Sequence, residues 1–223
     1  MIEGGKGASL NSYRLCLLAV ALFLGMAILL GVQAKGAGPL PGDLAFSRFI
    51  QSALPYNERV QALWAVIGEV LHYSPYLVFA ITLGLRRWDW AILVALVCLP
   101  IALFGESQLK PIFGRPRPTD EFLAIYQVSK GLSFPSGTAL NSMATVGVVF
   151  YLLRLSGTSK VAISRLIFGL GISFLLLANL ARIHVGAHWL TDILGGWLFA
   201  SAWVALWMAA HQWWLHQNPE NAE

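Results

Sequence analysis

An uncharged run of 20 residues, Leu15 to Ala34, is the feature of this sequence that most restricts its fold. About 20 apolar residues in a helix cross the hydrocarbon core of a bilayer. The run is longer than the roughly 7–15 residues of a signal-peptide core, and more apolar segments follow, so it reads as a retained first helix. Further spans fall at about 62–85, 89–109, 137–155, 163–182 and 191–212. Glu69, His72 and Pro75 interrupt the second of these. Only 12% of residues are charged, against about 25% in soluble domains. The nine Trp suit interfacial belts better than a small soluble core. The expectation is an all-α polytopic membrane protein of six transmembrane helices, forming one domain over residues 1–223. Lys35 to Asn57, with three prolines, reads as an extramembrane loop holding an interfacial helix around 43–54.

Charge then sets orientation. The net charge is +4, but the cations sit between apolar segments and form no basic tract, which argues against nucleic-acid binding. With a cytoplasmic N-terminus, Lys6, Arg14, Arg86, Arg87, Arg154, Lys160 and Arg165 lie inside. The other eight cations lie outside, and five of those, Lys110, Arg115, Arg117, Lys130 and Arg182, crowd the polar motifs described next. The remaining Lys35, Arg48 and Arg59 against seven support cytoplasmic termini by the positive-inside rule. This orientation gathers the ends of spans three and five and the starts of four and six outside. Cys16 and Cys98 fall inside apolar stretches and show neither metal nor disulfide spacing.

Three polar clusters occupy those four helix ends: Lys110 to Pro118, Phe134 to Thr138, and Arg182 to Asp192. A single Lys or Arg at a membrane-helix end commonly snorkels or anchors. Four cations converging with a His and an Asp instead suit a phosphate, which accepts several charge-assisted hydrogen bonds at once. His188 and Asp192 are four positions apart, so on the sixth helix the carboxylate can hold one imidazole nitrogen and leave the other as a nucleophile. The alternative is a satisfied His–Asp pair at a helix end. Ser136 and Gly137 open the fourth helix, whose free N–H groups can bind an anion; the Ser136 side chain is equally readable as an N-cap. His184, His188 and Asp192 form an i, i+4, i+8 series open to reading as metal ligands. Gly186 interrupts that series and the neighbouring cations oppose a divalent ion, so neither metal nor other cofactor is expected. His72, His211 and His216 have no partner readable from sequence.

These clusters resemble the three motifs of the type 2 phosphatidic acid phosphatase superfamily, K-x6-R-P, P-S-G-H and S-R-x5-H-x3-D. Lys110, Arg117 and Pro118 match the first; Pro135, Ser136 and Gly137 match the second; Arg182, His188 and Asp192 match the third. Ala181 replaces the usual Ser, and Thr138 stands where the family has histidine. The resemblance implies a metal-independent phosphatase acting on a membrane lipid phosphate or diphosphate, with its site facing the exterior or periplasm of a bacterial plasma membrane. It implies that His188 carries the phosphoryl group, that Asp192 orients it, and that Lys110, Arg117, Arg182, Ser136 and Gly137 hold the phosphate. Arg115, Thr138 and His184 are further candidates, His184 as a stand-in for the absent histidine or as a packing residue. Threonine is no general acid near neutral pH, a role worth about 10²–10⁴-fold. A lipid diphosphate, whose leaving phosphate ionises near pKa 6, needs that acid less than a monoester does. A polyprenyl diphosphate is therefore the favoured substrate. A lipid phosphotransferase and a silent lipid-phosphate binder are the alternatives, and no protein partner is readable.

Overall fold

The computed structural model of the protein describes residues 3–156 and 161–218, apart from the side chains of 3–11, 69, 71 and 161. The side chains of Lys6 and Glu69, and all of Lys160, thus lie outside the described residues. In chain order the helices are α1 (Glu3–Ala34), α2 (Asp43–Ala53), α3 (Glu58–His72), α4 (Ser74–Gly84), α5 (Trp88–Pro100), α6 (Glu106–Phe113), α7 (Gly137–Leu155), α8 (Val161–His184) and α9 (Leu190–Gln217). No strand occurs among the described residues.

Five stretches are long and apolar enough to cross a bilayer: Ser12–Ala34, Trp88–Phe113, Gly137–Leu155, Ala162–His184 and Leu190–Gln217. The protein is an integral membrane protein, and exposed leucines such as Leu18, Leu29, Leu166 and Leu170 form its apolar outer surface. α7 is the central helix: 61% of its apolar window is buried, against 11% for α1. Val94, Val97 and Cys98 of α5 meet Leu140, Ala144, Val148 and Leu152 of α7 and Ala200 and Val204 of α9 in one core cluster. Small residues let the other helices approach closely, as is usual where lipid removes the hydrophobic drive to pack. The ring of Phe113 lies against Gly31 of α1, where a Cβ would collide with it.

Two expected spans differ from the structure. The stretch 62–85 is not one helix: α3 ends at His72 and α4 begins at Ser74, and their 15 and 11 residues each fall short of the ~20 needed to span. Pro75 explains the break, because it takes the first turn of α4 and has no N–H to continue a helix from α3. The third span runs four residues further than expected, through a wide π-type turn at Ile101–Gly105 that follows Pro100. Lys110 is consequently inside α6, not beyond the helix end. Gly114, at φ 60, terminates α6 in the left-handed conformation and donates to Lys110 O.

Candidate active site

The ends of α6 and α8 and the starts of α7 and α9 meet at one end of the bundle. His188 sits in the turn between α8 and α9, and Trp189 is the residue that caps α9. The pair with Asp192 therefore spans a helix start instead of sharing a helical face, yet His188 Nδ1 still lies 3.4 Å from Asp192 Oδ2. On the far side of the ring, Arg117 Nη1 is 3.2 Å from His188 Nε2. This arrangement places the proton on Nδ1, facing the carboxylate, and the lone pair on Nε2, facing the cations. Burial above all lowers the His188 pKa to about 3; Arg117 and Arg182 act in the same direction and Asp192 opposes them. The imidazole is thus neutral, the form a nucleophile requires.

Asp192 is itself held from several sides. Its Oδ2 accepts from Ser133 Oγ and from Trp189 N at 2.8 Å, and its Oδ1 accepts from Arg115 Nη1 at 2.8 Å. Arg115 also donates to Thr191 Oγ1 at 2.6 Å, Gly38 O at 2.8 Å and Asp43 Oδ2 at 2.7 Å. Arg115, Asp43 and Asp192 are all fully buried. Arg115, one of the further candidates from sequence, is thus committed to the two carboxylates Asp43 and Asp192 beneath His188. A buried charge left without its partner costs about 3–5 kcal/mol, so this network fixes Asp192 firmly.

The other candidate residues lie on the helix ends and loops that gather near His188. Arg117 reaches back to Lys130 O, Gly131 O and Ala187 O. Arg182, near the end of α8, meets Gln127 Oε1 at 3.1 Å and Ser129 Oγ at 3.3 Å. Ser136 is buried and caps α7 by accepting from Ala139 N at 3.4 Å, while its own N–H donates to Asp192 O at 3.1 Å. Of its two readings, the cap is the one the geometry displays. Lys110 pairs with Glu106 Oε2 at 2.8 Å, and that carboxylate stands against Gly137, where a Cβ would collide with it. An anionic group thus already lies at the N-terminus of α7, the position where helix N–H groups and dipole favour one.

Two candidates fare differently. Thr138 is buried, and its hydroxyl makes no hydrogen bond among the described residues. His184 turns away: its Nε2 meets Leu54 O at 2.7 Å and its ring packs on Tyr126 and Trp64. The packing alternative describes it, and the metal-ligand series dissolves because the chain turns at Gly186, φ +74, between His184 and His188. Asp43, Ser133, Thr191 and Glu106 all belong to the site and escaped the sequence analysis. Of these, Thr191 sits within the third motif, Ser133 and Glu106 lie close to the others, Glu106 one helical turn before Lys110, and Asp43 is remote from all three.

The sequence profile of the PAP2 superfamily matches residues 72–216 of the chain, an interval holding all three motifs. The chain belongs to the PAP2 superfamily. Among curated proteins, an undecaprenyl-diphosphatase from Sulfolobus acidocaldarius is 30% identical over 119 residues, 50% of this chain and 47% of the relative. The chain thus spans about half the length of that relative. Among solved structures, a transmembrane PAP2-type phosphatidylglycerolphosphate phosphatase from Bacillus subtilis superposes with a TM-score of 0.62 at 20% identity. The superposition covers 89% of this chain and 93% of that one, and it shows a shared PAP2 fold.

Proposed function

We propose that this PAP2 protein is a lipid phosphatase that hydrolyses a lipid diphosphate through a phosphohistidine on His188. The observation that carries the proposal is the His188 ring, with Asp192 3.4 Å from Nδ1 and Arg117 3.2 Å from Nε2. In this reading Nε2 attacks phosphorus while Lys110, Arg117, Arg182 and the N–H groups that open α7 stabilise the transferring phosphoryl, the dominant contribution in such chemistry. Those cations do what a metal ion does in many phosphatases, so activity should persist in chelator. The site faces the exterior or periplasm of a bacterial plasma membrane, and both termini are cytoplasmic.

Diphosphate is favoured over monoester on leaving-group grounds. Thr138 has no group that protonates an alkoxide, which is about as basic as hydroxide, whereas a departing lipid phosphate needs little help. The relative named as an undecaprenyl-diphosphatase supports the same substrate class. The test is phosphate release from a panel of lipid mono- and diphosphates by purified protein. Wild type should favour diphosphates, and His188→Ala should be silent on all. Monoester preference would overturn the substrate assignment, normal turnover by His188→Ala would overturn the mechanism, and release of phosphate onto a second lipid would make the protein a phosphotransferase.

A further inference from the structure

We propose that His72 is the base that deprotonates the water releasing phosphate from His188, a role for which Thr138 has no suitable group. This inference rests on the phosphohistidine reading above. α3 ends at His72, and Asn141, one turn into α7 and 2% exposed, ties that end down by donating from Nδ2 to His72 O at 2.8 Å. The His72 ring is thereby brought to the first turn of α7: its Cε1 lies 3.4 Å from the point where a Cβ on Gly137 would begin, one residue before Thr138. The Glu106 carboxylate stands at the same point and is close enough to both His72 and His188 to interact electrostatically with each. An imidazole carried by α3 therefore stands beside the first turn of α7, next to the residue that lacks one.

The chemistry favours His72 over its neighbours for this task. A general base works best when its pKa is near the working pH, and an unperturbed imidazole titrates near 6.5. Glu106 is committed to Lys110 at 2.8 Å, which suits it to position His72 and hold Lys110. In the releasing step, water oxygen bonds to phosphorus and the P–N bond to His188 breaks, its electron pair returning to Nε2. The water proton passes to His72, which returns it to solvent as inorganic phosphate departs. Atoms and charge balance with no further reactant. The preceding step needs no such help when the leaving group is a lipid phosphate, so His72 bears on the second half of the cycle.

Rapid-mix kinetics on a lipid diphosphate in detergent separates the two halves by following lipid monophosphate and inorganic phosphate independently. For His72→Gln the expected result is a burst of lipid monophosphate approaching one per enzyme, then phosphate release slowed about 10²–10⁴-fold, with label retained on protein in an alkali-stable linkage. His72→Gln combined with Thr138→His should regain phosphate release. Glu106→Gln should show a weaker burst of the same kind. Release of both products at wild-type rates by His72→Gln, or equal slowing of both without a burst and without rescue by Thr138→His, would overturn the role of His72. Burst and turnover in His188→Ala would instead remove the phosphohistidine reading beneath it.

Discussion

At the scale of single residues, the decisive property is the neutrality of His188. A pKa lowered to about 3 in the folded protein, against about 6.5 for a free imidazole, means that the unfolded chain binds a proton over this interval and the native one does not. Stability should therefore be at its full value above about pH 6.5 and decline as pH falls toward 3. Melting of detergent-solubilised protein from pH 7 to pH 4 should show this decline, and His188→Gln should flatten it. Nitrogen-15 spectra of labelled histidine at pH 5 should show His188 neutral and protonated on Nδ1. A charged His188 at pH 5 would remove the basis for its nucleophilicity. The sequence spacing made this residue and Asp192 legible, because both belong to one short motif. It left the role of Arg115 open, because this residue shares that crowded loop with Arg117 but is turned inward by two carboxylates, one of them 72 positions away at Asp43.

At the scale of helices, close approach of α9 to α7 keeps His188 and Asp192 in register with the first turn of α7. A Cβ at Gly196 would meet Ala139 Cβ at 2.6 Å, Ser136 O at 2.9 Å and Leu140 N at 3.1 Å. Two of those atoms are backbone and cannot rotate aside. Gly196→Ala should push the starts of α7 and α9 apart, lowering kcat about 10²-fold, as misplacement by an ångström does, and reducing the melting temperature. Gly25→Ala, with nothing within 4 Å of its Cβ, should leave both unchanged or raise stability slightly; equal effects at the two sites would sink the packing argument. The charge at Lys110 did not end the third span, but both ends of α7 were legible from sequence, where its apolar run met Ser136 and Ser156. The stretch 62–85 was not, because hydropathy averages over an interruption that the backbone obeys. Glu69, His72 and Pro75 look like flaws in a span, yet Pro75 marks the true break and His72 is delivered to the site by it.

At the scale of the whole molecule, the site draws on four helix ends at one face of the bundle, so sidedness is a single property of the protein. The exposed Lys130, whose carbonyl accepts from Arg117, reports on that face. Lys130→Cys should be labelled by an impermeant thiol reagent added to intact cells, in a background where Cys16 and Cys98 are replaced by Ala. Labelling only after permeabilisation would invert the orientation. The motifs made this clustering foreseeable, whereas the contributions of α2 and α3 depend on contacts between distant residues that no local pattern encodes. The Arg115 guanidinium, lastly, carries a lesson about boundaries. It is shared between Asp192, inside the interval 72–216 that identifies the family, and Asp43, outside it. A segment excised at residue 72 would keep every signature and leave Arg115 with one carboxylate instead of two, free to draw Asp192 away from His188. The autonomous unit is larger than the recognisable one, and an excision guided by signatures alone would yield a complete set of motifs around a site that no longer holds its shape.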